Sequence, residues 1–180
     1  MMKVRKAHVP VRREELLLLA EHNRAIYKGL SLEEIAEVAG FIFIREAGGP
    51  SAPGGFAYSR IESMADGSKR QFDAMVINPE HVNEAGELVD ERQTFWHEYY
   101  HLWYSPSRVD SPSDPMFYST RGALHAQEER RANEFAAAML IDSVEPGQTP
   151  QMIAERYQVT TDLAALGIKL LRNQGNSTRQ

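Results

Sequence analysis

The chain has 180 residues, 42% of them hydrophobic and 25% charged, with a formal net charge of −5 and no cysteine. This length suits one domain with its own core, and the composition excludes a disordered or fibrous chain. The acidic balance argues against a dominant nucleic-acid-binding surface, which needs a positive field. Without cysteine there is no disulfide framework, and any metal site must draw on His and carboxylate ligands.

Residues Arg12 to Tyr27 alternate charged and apolar clusters without Pro or Gly and predict a helix. Its apolar run, Leu16 to Ala20, is far shorter than the ~20 residues of a membrane span. The expectation is therefore a cytoplasmic protein with no signal peptide and no membrane helix. Ser31 and Glu34 form a capping-box pair that opens a short second helix, which Gly40 closes in a left-handed cap. Phe41 to Ile44 is a β-prone run, and the Gly- and Pro-rich stretch Gly48 to Gly55 predicts a flexible loop. Phe56–Ile61 and Gln71–Asn78 flank the turn signal Asp66-Gly67 and predict an antiparallel hairpin.

A central helix is predicted from Asp90 to Tyr104, ended by Ser105-Pro106. The stretch from Ser105 to Gly122 is rich in Ser, Pro and Asp, and a loop of this length suggests a lid or a substrate-contacting segment. Leu124 to Ile141 is the longest helical pattern. Pro150 opens a helix to about Tyr157, and Thr160 or Thr161 caps a last one through Leu171. One domain over residues 1–172 and a polar, frayed tail over 173–180 account for the chain.

The chemistry concentrates in His97-Glu98-Tyr99-Tyr100-His101. Residues four apart share a helix face, so His97 and His101 can offer two imidazole nitrogens to one metal ion. Glu98 projects at another angle, where an H-E-x-x-H peptidase keeps its general base. Phe95, Tyr99, Leu102 and Trp103 predict an amphipathic helix packed on a core. A catalytic zinc site needs a third protein ligand. Glu129 supplies a carboxylate early on the long helix, with Asn133 one turn later to orient a ligand through a hydrogen bond. His125, one turn before Glu129 on the same face, is an alternative third ligand or a substrate contact. Glu128 and Glu134 fall on other faces and are read as solvated charges, as are His8, His22 and His81 as ordinary solvated residues. Tyr104, Tyr118 and Tyr157 are phenols suited to an oxyanion donor, but nothing in the sequence chooses between them, and each reads first as a packing residue.

The segment Trp96 to His101, followed by Glu129-Arg130-Arg131-Ala132-Asn133-Glu134-Phe135-Ala136-Ala137-Ala138-Met139-Leu140, resembles the ImmA/IrrE family of metallopeptidases, whose pattern is H-E-x-x-H and then E-x-x-A-N-x-F-A-x-x-L-L. The resemblance implies an α+β fold, a zincin-like helical domain with a small three-stranded, mainly antiparallel β-sheet. It implies a zinc ion (Zn2+) held by His97, His101 and Glu129, with Glu98 as general acid and base. The implied activity is cleavage of a helix-turn-helix transcriptional repressor, of the kind encoded beside such proteins on phages and mobile elements. The chain departs from the pattern where Tyr99-Tyr100 replaces an aliphatic-Gly pair and Ile141-Asp142 stands in place of Met-Pro. A rival from another class is a regulatory binding module that sequesters its partner around a structural or vestigial zinc. Gln151 to Leu171 resembles part of a helix-turn-helix. The few cations from Gln151 to Arg172, namely Arg156, Lys169 and Arg172, favour a packing role over direct DNA binding.

Overall fold

Local signals set most of the element boundaries. The computed structural model describes residues 11–104 and 122–177, so the proposed lid, His8 and Tyr118 lie outside the described residues. Among these, six helices and three strands follow in the order α1 (Arg13–Ile26), α2 (Leu32–Ala39), β1 (Ile42–Arg45), β2 (Gly55–Ser63), β3 (Lys69–Ile77), α3 (Glu91–Trp103), α4 (Gly122–Leu140), α5 (Pro150–Tyr157) and α6 (Thr161–Ser177). The fold is α+β. No helix among the described residues is long and apolar enough to cross a membrane.

At the start of α2, Ser31 Oγ accepts from Glu34 N–H and the Glu34 carboxylate accepts from Ser31 N–H. Gly40 ends that helix with φ +82°, a conformation that glycine adopts without the Cβ penalty. Thr149 caps α5 ahead of Pro150, and Thr160 accepts from Leu163 N–H at the start of α6. Helix α6 continues to Ser177, past the expected stop at Leu171. No Pro intervenes there, and a single Gly is a weak stop once a helix is established.

The sheet order is β1-β3-β2, with β1 parallel and β2 antiparallel to β3. Nine antiparallel register pairs outnumber four parallel ones, so the sheet is mixed and mainly antiparallel. Gly67, at φ +79°, turns the hairpin while Asp66 Oδ1 accepts from Ser68 N–H. One face of the sheet, carrying Phe43, Ala57, Met75 and Ile77, packs with α3 and the other helices into the main core.

Helix α3 is not amphipathic as expected. Thr94, Phe95, Trp96 and every residue from Glu98 to Leu102 are buried, because the sheet covers one side of the helix and α4 packs along another. A helix enclosed in this way has no fully solvated face, and its buried positions include the polar Glu98 and His101. Tyr99 and Tyr100 are part of that enclosure. The Tyr99 and Tyr27 hydroxyls share a hydrogen bond of 2.9 Å, and Tyr99 also donates to buried Asn23 at 3.4 Å. Burial pushes the Tyr99 phenol far up and Tyr100 up to about 12. Both therefore stay neutral.

Candidate metal centre

Two helices each contribute a pair of residues one turn apart. On α3 these are His97 and His101; on α4, packed beside it, they are Glu129 and Asn133. The Nε2 atoms of the two imidazoles stand 3.2 Å apart. Glu129 faces both, with Oε2 3.2 Å from His97 Nε2 and Oε1 3.1 Å from His101 Nε2. The ligand atoms of the three residues all lie within 4.8 Å of one another.

These distances test whether a metal ion fits. Donors around a tetrahedral ion with bonds near 2.0–2.1 Å lie about 3.3 Å apart. The two imidazole nitrogens match that spacing, and each has one oxygen of Glu129 at it, Oε2 for His97 and Oε1 for His101. The Nδ1–H of His97 donates to Asn133 Oδ1 at 2.9 Å. With the proton on Nδ1, the lone pair of that ring is on Nε2, which faces the other two donors. The residues present can hold a metal ion, and Asn133 orients one of them.

Without a metal, protons compete for the same atoms. Burial disfavours a charged His97, yet the hydrogen bond to Glu129, the charges of Glu98 and Glu129 and the bond to Asn133 together raise its pKa. Burial likewise opposes ionisation of Glu129, but hydrogen bonds from His101 and His97 hold its carboxyl well below the usual range. Glu129 is an anion at neutral pH, as a metal ligand must be.

The centre opens into a cleft of about 620 Å³ that also exposes Glu98. Glu98 is buried except where it meets this cleft. Beside it, the start of β2 comes unusually close: a Cβ on Gly55 would stand 2.7 Å from Thr94 Cγ2 and 3.4 Å from Glu98 Cγ. Glycine at 55 is what lets the strand close over the carboxylate.

The far wall of the cleft is the Gly- and Pro-rich loop, and it is pinned where flexibility was expected. Asn78 Oδ1 accepts from Gly48 N–H and its Nδ2 donates to Gly49 O. Glu80 accepts from Gly49 N–H, and His81 Nδ1–H donates to Ala52 O at 2.8 Å. His81 is therefore half-buried in a structural bond, not simply solvated. Sequence reasoning missed Asn78, Gly55 and His81 as builders of the cleft; the Gly54-Gly55 pair at a strand start was the available signal.

A further expectation needs correction. Glu128 and Glu134 are buried, not solvated: Glu134 accepts from Arg131 Nη1 at 2.5 Å, and both carboxylates lie near enough to Tyr100 to raise its pKa. The hydroxyls of Tyr104 and Tyr157 have hydrogen bonds of their own, in line with their reading as packing residues. Tyr104 accepts from Asn23 Nδ2 at 3.0 Å, and Tyr157 donates to Asp142 at 2.5 Å on the α4–α5 connection. The backbone of His125 lies in α4, but its side chain is outside the described residues. His22 is exposed as expected.

Comparison of the chain with protein-family models, with curated proteins and with solved structures finds no match.

Proposed function

We propose that this chain is a zinc-dependent endopeptidase that cuts a regulatory protein, a helix-turn-helix repressor being the substrate that its resemblance to ImmA/IrrE peptidases implies. The observation that carries this reading is the convergence of His97, His101 and Glu129 at donor spacing beside Glu98 in an open cleft. Bound by those three residues, zinc would supply Lewis acidity and lower the pKa of water. Glu98 takes the proton of the attacking water and hands it to the leaving amine. Its position on α3, turned from the two imidazoles but facing the same cleft, suits that exchange.

The edge of the sheet supports a peptide substrate. Bonded and unbonded pairs alternate along an antiparallel ladder. Asn78 N–H donates to Gly54 O and Met64 N–H to Ser68 O, so the even-numbered residues of β2 bond to β3. Gly55, Ala57, Ser59, Ile61 and Ser63 then direct their N–H and C=O groups to the outer edge of β2, which pairs with no other strand among the described residues. An extended peptide added there as a further strand starts beside Glu98, against Gly55.

The test uses a repressor encoded beside this protein, incubated with zinc-loaded wild type, with Glu98→Gln, and with wild type plus chelator. Glu98→Gln is expected to keep one zinc and its melting temperature while cleavage falls by about 10²–10⁴. Cleavage retained in Glu98→Gln would refute the role of that carboxylate. Relief of repression by Glu98→Gln without cleavage would favour the sequestering module instead.

A further inference from the structure

The sheet has a second apolar face, turned away from the helices. The register places Ile42 and Ile44 of β1, Ala74 and Val76 of β3, and Phe56 and Tyr58 of β2 side by side on it. Large side chains stand on the outer strands and small ones on the middle strand. With strands ~4.8 Å apart, the two rims are roughly 10 Å from each other, and the face forms a shallow groove along β3. Ala74 and Val76 on its floor are 1% and 7% exposed, although they lie outside the main core. On the rims, Ile42, Ile44 and Phe56 are 53%, 40% and 39% exposed. A contiguous apolar patch marks an interaction site more often than scattered apolar residues do.

The groove runs into the cleft. Val76 and Phe56 belong to both, lining the space that exposes His97, Glu98 and Glu129. That continuity selects the occupant: a polypeptide that reaches the metal centre past Phe56 and Val76 can lay a flanking segment on this face. A second copy of the chain seated on the face would cover the same two residues and shut the cleft.

We propose that the groove is the docking site for an apolar segment of the polypeptide whose bond is cut at the metal centre. The inference rests on the peptidase reading and adds a substrate class: chains with a cluster of branched aliphatic or aromatic side chains close to the scissile bond. Ile42 and Ile44 set specificity without touching the reacting atoms, while Phe56 and Val76 join groove to cleft.

The experiment incubates zinc-loaded wild type and the double variant Ile42→Lys/Ile44→Lys with a library of tryptic peptides from a bacterial proteome, and identifies cut products by mass spectrometry. Both side chains are exposed, so the double variant is expected to fold and to hold zinc at the wild-type stoichiometry. Wild-type products are expected to share Leu, Ile, Val or aromatic residues clustered on one side of the cut. On those peptides the variant is expected to lose about tenfold in kcat/KM, carried by KM, as removal of two apolar contacts implies. Products without apolar clustering, or equal rates in the variant, overturn the docking groove and leave the peptidase reading standing. Absence of any product from zinc-loaded wild type overturns the peptidase reading and the groove with it.

Discussion

Replacing Asn133 with alanine isolates the orienting bond from the ligands. The side chain is exposed, so deleting it costs the fold within about 0.5 kcal/mol. What it removes is the acceptor 2.9 Å from His97 Nδ1. Without it the ring can place its proton on either nitrogen and rotate, and only one tautomer offers Nε2 to the metal. Partners of this kind are worth about 10–100-fold in metal affinity, or roughly 1.4–2.7 kcal/mol. Competition with a fluorescent zinc chelator measures the loss directly. Asn133→Asp should reverse it, since a carboxylate still accepts from Nδ1–H and makes the ring more basic. Zinc affinity within twofold of wild type in Asn133→Ala would refute the argument that this amide sets the tautomer.

Glu129→Ala should abolish stoichiometric zinc at micromolar free metal, read by metal analysis after gel filtration; full occupancy would move the third ligand elsewhere, with His125 the first candidate. In the metal-free protein the site should leave a pH signature in the denaturant midpoint. The pKa of His97 is raised from 6.5, so its contribution is complete below that value and is lost as pH rises through the raised one. For Glu129, lowered from 4.5, the contribution is complete above that value and is lost as pH falls through the lowered one. Metal-free stability should therefore peak between the two, and a monotonic profile would contradict the pairing. Gly55→Val should destabilise by about 1–3 kcal/mol through overpacking, since a Cβ there would meet Thr94 Cγ2 at 2.7 Å and Val76 O at 2.8 Å; thermal melting checks it. Asn78→Ala should release Gly48 and Gly49, raising KM for any cut peptide several-fold while zinc content stays unchanged.

Much of this architecture was legible because it is local. Capping at Ser31, the Gly40 stop, the Asp66-Gly67 turn and Pro150 at a helix start each depend on a few neighbouring residues. The three candidate ligands were legible for a similar reason, since i, i+4 spacing sets His97 and His101 on one face and Glu129 on one face with Asn133. What escaped depends on distance in sequence. Asn78 reads as a strand end until the loop thirty residues earlier folds onto it. Glu128 and Glu134 look like solvated charges because helical periodicity shows which residues share a face and says nothing about what covers it. Tyr99 and Tyr100 are bulkier than the aliphatic-Gly pair that they replace in the resembled pattern. Both turn into the core, where Asn23 on α1 and Tyr27 at its C-terminal cap supply partners for the Tyr99 hydroxyl, so their bulk leaves the cleft open.

The α5–α6 pair has the pattern of a helix-turn-helix, and its contacts favour packing over DNA reading. A recognition helix contacts bases with its N-terminal residues, so those residues must be free. In this chain Thr161 N–H and Oγ1 donate to the Glu87 carboxylate, the latter at 2.5 Å. Thr160 N–H and Oγ1 both bond to Gln93 Oε1 at 3.2 Å, on the first turn of α3. Arg92 also reaches across, donating to Tyr157 O at the end of α5. The start of α6 is thus tied to α3 and to the loop before it, the same helix that carries His97, Glu98 and His101. A major-groove contact would require breaking several hydrogen bonds, one of them to a carboxylate that would then face DNA phosphates. Those bonds brace the first turn of the helix that carries His97 and His101, and that bracing is the use of α5–α6 that the contacts support.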